Sequence, residues 1–513
     1  MNRPPLWRLA GAAVCLLLLP VCAFLFARLD PAPPPRDANT CLGASILDEQ
    51  AYAALAPAGA DVTGLVLLNG QRAAFVRETG TLLLSARVTP GMRSSDLEGW
   101  LTAADNAFRL GFAPDPAFDD MSAAVAAGHA FTLLLLYPDG SASSCRVMFT
   151  LLPVFEIVSD SPDNYDDPYA EHEGRILVHE PGSDKPQFSS ADWHRRGMGT
   201  RLFKKGSWKL SLKNAYGRNR NLAFAGLGSD DDWILNSMGQ DDLRIREKFI
   251  QDLWNAMADQ DGSAHMSSGA YVEVVFDGEY MGLYLLQRRV DAKYLALDAS
   301  RDLLFKGSNV LTIRCLEDAF TVRSSPYDEA ASLALIEPFY TLSDPSVIDL
   351  DSWLNMDVFV LFASLYDNLS LRNAYYILRP EGRSGYRVFL LPWDTDLAFG
   401  LDHVSNQGFV LLPDSPEDRP LRHRREYDAL LTLYPDLDAR IAARWRQLRA
   451  GPLSDDALLG TLDSILTQLD SSGAMLRDQR KWPWSRNNGS DTLEGFLLFM
   501  QDRLLELDQL YAP

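Results

Sequence analysis

A β-hairpin flanked by polar side chains is the feature that most constrains the fold of this chain. Two β-branched and aromatic runs, AYYIL and YRVFLL, are separated by the turn-rich PEGRSG, which predicts an antiparallel hairpin over residues 374–391. The start of the first strand of such a hairpin lies beside the end of the second, so we expect Asn373 and Asp394 to meet, with Asp367 on the loop that leads in. These carboxylate and amide oxygens suit Mg²⁺ or Mn²⁺ carrying a phosphate-bearing substrate.

The spacing of these polar residues predicts specific roles. Asp367 and Asn373 are separated by five residues, and Asp394 follows the hairpin, as in a kinase catalytic loop and its metal-binding aspartate. Asp367 would orient or deprotonate an acceptor hydroxyl, while Asn373 and Asp394 would hold the metal. Asp396 shares a face with Asp394 in extended backbone and is the third metal candidate. Helix caps or Asx turns are the alternative interpretation.

A basic turn earlier in the chain is a candidate phosphate site. Gly197 and Gly199 lie between two basic strands, and Lys204, Lys205 and Lys209 follow. Backbone N–H groups of such a turn can approach a phosphate closely, and the lysines supply charge. Gly197, Gly199, Lys205 and Lys209 are therefore candidate cofactor-binding residues. The alternative is an ordinary turn with Lys209 facing solvent.

The N-terminus predicts a membrane anchor. Residues 9–27 form an unbroken uncharged stretch that is long enough to span a bilayer as a helix. Arg3 and Arg8 precede it, a charge bias that keeps the N-terminus in the cytoplasm and places the remaining chain outside. We therefore expect a single-pass protein of the cell membrane with its bulk extracytoplasmic. A cleavable signal peptide is the competing interpretation.

Composition bounds the remaining possibilities. The chain has 513 residues, 47% of them hydrophobic, which is ample for two or three domains. A net charge of −21, from 69 acidic against 48 basic residues, argues against nucleic acid as a partner. Cys41 and Cys145 both fall in the first soluble region and are expected to pair as a disulfide in an oxidising compartment, although two separate thiols are the alternative.

Antiparallel strands with segregated helices predict an α+β fold. Hairpins are expected around Asp139 and Asp277, and helices over residues 94–112 and 241–259. The predicted divisions are an anchor (1–29), a Pro-rich linker (30–40), a small β-rich or α+β domain (41–158), an acidic linker (159–174), a core (175–424) and a helical C-terminal subdomain (425–513).

Several segments resemble the CotH (spore coat protein H) kinase family. They are DDDWILNSMGQDDLRIREK, VEVVFDGEYMGLYLL, NAYYIL and PWDTDLAFG, within roughly residues 150–420. The resemblance implies an atypical protein-kinase-like core that phosphorylates Ser or Thr of secreted or coat proteins, with ATP and Mg²⁺ or Mn²⁺ as cofactors. It also implies that Lys205 is the nucleotide-phosphate lysine, Asp367 the catalytic-loop aspartate, Asn373 and Asp394 metal ligands, and Asp396 the second acid of the motif.

The chain also departs from the family pattern. Glu247 stands where the family usually has Asn, and Gln287 replaces a common Glu. The leading hypothesis is a membrane-anchored extracytoplasmic kinase whose partner is a secreted or surface protein. The alternatives are a catalytically inactive kinase-like binding or adhesion protein, a related nucleotidyl or amino-acyl transferase, and a metal-dependent hydrolase using Asp367, Asp394 and Asp396.

Overall fold

The structure, a computed structural model, describes most of the chain after the N-terminus: residues 45–58, 66–68, 71–86, 101–103, 108–161, 167–183, 186–197, 200–308, 313–368, 371–382, 385–401, 424–483 and 492–512. The predicted anchor and Pro-rich linker, together with Cys41 and Gly199, lie outside these residues. Across the described ranges, no helix combines the length and apolar character needed to cross a membrane. The described chain is an α+β fold, as predicted.

The N-terminal domain is a mixed sheet with the strand order β1-β8-β9-β10-β6-β5, in which β2 also pairs with β10. A smaller sheet has the order β4-β3-β7. The strands are β1 (Ser45–Ile46), β2 (Ala56–Pro57), β3 (Val66–Leu68), β4 (Gln71–Arg72), β5 (Ala74–Val76), β6 (Thr81–Ser85), β7 (Leu101–Ala103), β8 (Arg109–Phe112), β9 (Ala130–Leu136) and β10 (Ser141–Thr150). The helices are α1 (Glu49–Ala53) and α2 (Met121–Ala126), and a 3₁₀ turn spans Pro116–Asp119.

The predicted hairpin around Asp139 is confirmed by β9 and β10, but the helix predicted over residues 94–112 is wrong where the chain is described. Leu101–Ala103 and Arg109–Phe112 are strands, and the side chains of Leu101, Leu110 and Phe112 lie in the domain core. Short apolar runs do not distinguish a helix from a buried strand, and long-range pairing decides between them. Cys145, on β10, is buried with a free thiol, so the disulfide with Cys41 is not confirmed.

A closed seven-stranded barrel follows, in the order β11-β12-β13-β14-β17-β19-β18. Its strands are β11 (Val154–Ser159), β12 (Glu171–His179), β13 (Gln187–Arg196), β14 (Ser207–Lys213), β17 (Asp232–Asn236), β18 (Gly269–Phe276) and β19 (Glu279–Arg288). The parallel pairing of β11 with β18 closes it, and Trp193, Trp208 and Trp233 fill its interior. The barrel thus begins inside the predicted first domain, and the predicted linker 159–174 joins two of its strands.

Short elements and one long helix are inserted between the barrel strands along the chain. A two-stranded sheet of β15 (Leu222–Ala223) and β16 (Ser229–Asp230) lies between β14 and β17, and a 3₁₀ turn spans Thr200–Leu202. Helix α3 (Arg246–Asp261) starts later than predicted, because the carboxylate of Asp241 accepts hydrogen bonds from the backbone N–H groups of Ile245 and Arg246 and so occupies the helix N-terminus.

The third part is a four-stranded sheet covered by helices. Its order is β21-β20-β22-β23, with β20 (Leu303–Gly307), β21 (Phe320–Ser324), β22 (Ala374–Glu381) and β23 (Gly385–Pro392). The helices are α4 (Leu316–Ala319), α5 (Glu329–Thr341), α6 (Leu350–Ala363), α7 (Arg424–Leu433), α8 (Leu437–Arg449), α9 (Asp455–Ser472), α10 (Ala474–Lys481) and α11 (Leu493–Leu510), with 3₁₀ turns at Pro345–Val347 and Tyr366–Asn368. The predicted hairpin over residues 374–391 is confirmed by β22 and β23, and the one around Asp277 by β18 and β19 of the barrel.

One hydrophobic core joins the barrel to the sheet. Ile234 and Leu285 on the outside of the barrel pack in the same cluster as Phe305 and Tyr376 of the sheet and Phe249 of α3. This packing sets the outer surface of the barrel beside the end of the β22–β23 hairpin. The predicted site residues lie at that junction.

Candidate functional site

The hairpin brings three predicted site residues together. Ala374 pairs with Pro392, and the backbone N–H of Trp393 donates to the carbonyl of Asn373 at 2.9 Å, so Asn373 and Asp394 lie at the same end of the hairpin, as predicted. The Nδ2 of Asn373 donates to Oδ2 of Asp367 at 2.7 Å. The amide and the two carboxylates, far apart in sequence, therefore share one site.

A buried asparagine that the sequence analysis did not single out holds this end of the hairpin closed. Asn368 uses its amide nitrogen to donate to the carbonyls of Asn373 and Trp393, each at 2.7 Å. It is 1% exposed. Both hydrogens of one amide are thus used to fix the backbone beside Asp394. The only signal in the sequence was its position next to Asp367.

The backbone at the site is strained. Leu371, Asn373 and Asp394 have φ values of 72°, 44° and 58°, in the left-handed region that non-glycine residues seldom adopt. Such conformations cost on the order of 1 kcal/mol or more each and cluster at functional sites. The strained backbone at Asn373 and Asp394 therefore points to a functional role for these residues.

Asp396 lies in an acidic cluster with a glutamate that the sequence analysis had noted only as a departure from the family pattern. Burial, together with the negative charges of Asp394, Glu247 and Asp367, raises the pKa of Asp396 well above its ordinary value. The Nε2 of Gln240 donates to Asp396 at 3.2 Å, and Oγ1 of Thr395 donates to Glu247 at 3.3 Å. Burial and the charge of Asp394 also raise the pKa of Glu247.

The donor set fits a hard divalent cation. Across the described part of the chain, no group of three or more His, Cys, Asp or Glu side chains is arranged to hold a metal ion. Mg²⁺, however, is usually bound by one or two carboxylates plus waters and substrate phosphates, without an all-protein cage. Asp394 is exposed, and Asn373 engages Asp367 through its nitrogen, which leaves its oxygen for a cation. A positive ion here would also relieve the repulsion around Asp396.

Cationic side chains flank Trp393 next to the acidic cluster. The guanidinium of Arg196 lies 5.4 Å from the centre of the indole ring, and Nζ of Lys306 lies 5.6 Å from it. The ring of Tyr375, which is paired with Lys306 across β20 and β22, packs edge-on against Trp393 with centroids 5.5 Å apart. We call the surface formed by Arg196, Lys306, Tyr375, Trp393 and Asp394 the Trp393 cleft.

These cations repel one another. Burial and the charges of Arg196, Arg323 and Arg289 lower the pKa of Lys306 to about 8, although Asp394 opposes the shift. Arg289 forms an ion pair with Asp232 at 2.9 Å. Arg196, Lys306 and Arg323 form no ion pair with any residue that the structure describes. Like charges held together without partners are stabilised when a polyanion binds between them.

The predicted phosphate residues divide between this cleft and the protein interior. Gly197, with φ of 100°, directly follows Arg196 and borders the cleft. Lys209 forms an ion pair at 3.2 Å with Asp232, a carboxylate that it shares with Arg289. Lys205, predicted to hold the nucleotide phosphates, lies in the interior and is 0% exposed.

Lys205 belongs to a buried ion-pair network on the other side of β19. Its Nζ lies 2.6 Å from Oδ1 of Asp478 on α10 and donates to the carbonyl of Leu283 at 2.7 Å. Arg244 donates to the other oxygen of Asp478 at 3.0 Å. Although burial raises it, the pKa of Asp478 is held below its ordinary value by Lys205 and Arg244, while burial lowers the pKa of Lys205 to about 7. In this position Lys205 offers no surface to a phosphate.

The family comparison agrees with this geometry. A family model described as CotH kinase protein matches residues 194–333 and 342–506, more than half of the chain. The chain belongs to the CotH kinase protein family. Among curated proteins, the comparison finds no match.

The match revises the extent of the CotH region. It begins at residue 194, just before Gly197, and continues to residue 506, past the predicted end of the core at 424. The C-terminal helices, including α10 with Asp478, are therefore part of the CotH kinase region. The Trp393 cleft, the acidic cluster and the Lys205–Asp478 pair all lie within it, and membership supports a kinase-related function for the chain.

Proposed function

We propose that this CotH family member is an ATP-dependent protein kinase that transfers phosphate to Ser or Thr hydroxyls of secreted or surface proteins. The observation that carries the proposal is the contact of Asp367 with Asn373 at the point where the hairpin delivers Asp394. Asp367 is fixed through both oxygens, by Asn373 at 2.7 Å and by Arg372 at 3.4 Å. A carboxylate held in this way can orient an acceptor hydroxyl and accept its proton.

The donor phosphates fit the Trp393 cleft. Arg196 and Lys306 would neutralise phosphate oxygens, and Gly197 allows the backbone to approach them. Asp394 and Asn373, with Asp396 beside them, would hold Mg²⁺ or Mn²⁺. The bound cation would supply neutralisation of the charge that spreads over the transferring phosphoryl group.

The proposal also places the enzyme on the outer face of a membrane. The uncharged segment 9–27, preceded by Arg3 and Arg8, supports a single-pass anchor that leaves the bulk of the chain extracytoplasmic. The partner would then be a secreted or surface protein. Fractionation of a tagged chain with protease protection tests this part, and a soluble or cytoplasmic chain would contradict it.

Transfer with labelled ATP is the test of the activity. The chain, Asp394→Ala and a control, Glu381→Gln at the far end of the same hairpin, are incubated with Mn²⁺ or Mg²⁺ and ATP labelled at either the α or the γ phosphate. Label from the γ position on Ser or Thr, lost only in Asp394→Ala, is the expected result. Label from the α position would identify a nucleotidyl transferase instead.

A second candidate is a nucleotide-binding protein without transfer activity. Glu247 on α3 has no lysine partner among the described residues; it accepts hydrogen bonds from Gln251 at 3.0 Å and Gln287 at 3.2 Å. Protein kinases need an ion pair between a strand lysine and a helix glutamate. Nucleotide binding in a thermal-shift assay without any incorporation of label, with either metal, would favour this candidate.

A further inference from the structure

Arg323 is a surplus cation at the rim of the Trp393 cleft. Arg196 and Lys306 already contact Trp393, whereas Arg323 is exposed on β21, the end strand of the four-stranded sheet. It makes no ion pair with the described residues. Although the chain has a net charge of −21, this exposed arginine and the two cations beside it form no ion pair within the described ranges.

A β-bulge in β21 lies at Arg323. Leu304 pairs with Ser324 and Phe305 pairs with Val322, so Arg323 is the extra residue on the bulged strand. Bulges occur at sheet edges and beside active sites, where they redirect a side chain. Arg323 is close enough to Lys306 and Tyr375 for its charge to be felt by both. The irregularity in β21 thus lies at the residue whose charge acts on Lys306 and Tyr375.

The edge of β21 lies within reach of the proposed acceptor position. Thr321 of β21 is opposite Lys306, which is opposite Tyr375, a separation of two strand spacings or about 10 Å. Asn373, which contacts Asp367, precedes Tyr375 by two residues, about 7 Å along the strand. The two offsets combine to roughly 12 Å, which three or four residues of extended peptide span.

The same edge can accept another strand. β21 pairs with β20 on one side, and no strand in the described ranges pairs with its other side. Such an edge presents backbone N–H and C=O groups that recruit an extended peptide. The net charge of −21 disfavours binding of an acidic segment to the protein in general, whereas the cations at this rim would attract it.

We propose that this edge docks the acceptor, and that the acceptor carries an acidic residue. An extended segment would pair with β21 and place a Glu or Asp, three or four residues from the acceptor Ser or Thr, against Arg323. The inference rests on the proposed kinase function and names its substrate class. It assigns Arg323 to acceptor selection and leaves Arg196 and Lys306 to the donor phosphates.

The test measures peptide binding without nucleotide. Three fluorescent Ser peptides differ only in the residues three and four positions from Ser, which are Glu, Gln or Lys. Fluorescence anisotropy gives their affinities for the full chain, for Arg323→Glu and for the control Arg109→Glu, an exposed arginine on strand β8 of the N-terminal domain. Thermal unfolding shows that each variant is folded.

The expected result is a preference of about fivefold for the Glu over the Gln peptide, the upper range for an exposed charge pair. Arg323→Glu should reverse the order and prefer the Lys peptide, while Arg109→Glu keeps the wild-type order. Equal affinities of the wild-type chain for the Glu and Gln peptides, or an unchanged order in Arg323→Glu, would overturn the proposal.

A parallel nucleotide measurement separates this inference from the proposed function. Failure of the peptide preference in a chain that transfers phosphate overturns acceptor docking alone. The predicted peptide preference in a chain that binds no ATP and transfers no phosphate supports docking at β21 and overturns the kinase proposal instead.

Discussion

Lys205 and Lys306 lie in surroundings of opposite character. Lys205 has no exposed surface and is satisfied by Asp478 at 2.6 Å and the Leu283 carbonyl at 2.7 Å. Lys306 is half-buried against Trp393, has other cations around it, and forms no ion pair with a described residue. A buried lysine whose charge is met inside the protein serves the fold. A lysine beside a cleft that has no ion-pair partner among the described residues can bind an anionic ligand.

The largest effect is expected on the cleft side of this comparison. Asp394→Asn keeps the size of the side chain but removes the charge that would hold a divalent cation. We expect phosphate transfer to fall by at least about a hundredfold, in line with loss of one electrostatic contact to a transition state. Initial rates with labelled ATP measure it. A rate within a few fold of wild type would exclude Asp394 from the metal site.

For the buried Lys205–Asp478 pair, the expected effect is on the free energy of unfolding. Lys205→Met leaves Asp478 charged in the interior with only Arg244 and a backbone N–H as partners, and should cost about 3–5 kcal/mol of unfolding free energy. Adding Asp478→Leu should recover part of this loss, because an apolar pair of similar volume can replace a buried ion pair. Chemical denaturation measures both variants. An unchanged free energy of unfolding in Lys205→Met would contradict a stabilising role of the Lys205–Asp478 ion pair.

The Lys205–Asp478 ion pair can also be disturbed from the backbone of β19. A Cβ on Gly282, whose φ is 100°, would lie 2.2 Å from Oδ1 of Asp478. Gly282→Ala should therefore lose about 1–2 kcal/mol for the backbone conformation alone, and more for displacement of α10. Gly226→Ala is the matched control, since φ is 76° there and no atom lies within 4 Å of the added methyl. Equal losses in the two variants would remove the steric argument.

The smallest predicted effect is a pH dependence of anion binding. The pKa of Lys306 is lowered to about 8, so the lysine is charged below that pH and loses its proton above it. Tripolyphosphate affinity, measured calorimetrically without metal, should decline as pH rises through about 8, by at most tenfold per pH unit. Lys306→Arg stays charged and should flatten this decline. The same slope in both proteins would assign the titration to another group.

The hairpin and its acids could be predicted because their signals are local. Two strands of the right composition and a tight turn fix which residues meet, so the convergence of Asn373 and Asp394 followed from pairing alone. Asp367 lay close by in sequence. The precise geometry could not be foreseen, because it depends on Asn368 bonding two carbonyls and on left-handed backbone at Asn373 and Asp394.

The role of Lys205 could not be predicted because its partner is remote. Asp478 lies 273 residues further along the chain and reaches Lys205 only after α10 packs on β19 at Gly282. Glu247 and Lys306 were missed for the same reason, since a single acid in a helix or a single base in a strand carries no pattern. Their significance comes from burial and from neighbours that distant segments supply.

Nucleotide affinity shows whether the Trp393 cleft or Lys205 holds the donor phosphates. ATP and adenosine binding are measured calorimetrically with Mn²⁺ for Lys306→Met and for the folded double variant Lys205→Met/Asp478→Leu. We expect Lys306→Met to lose about tenfold in ATP affinity, the effect of one charge-assisted hydrogen bond, and to bind adenosine as wild type does. The double variant should bind both ligands as wild type does. Loss of ATP binding in the double variant, with Lys306→Met unchanged, would contradict this prediction.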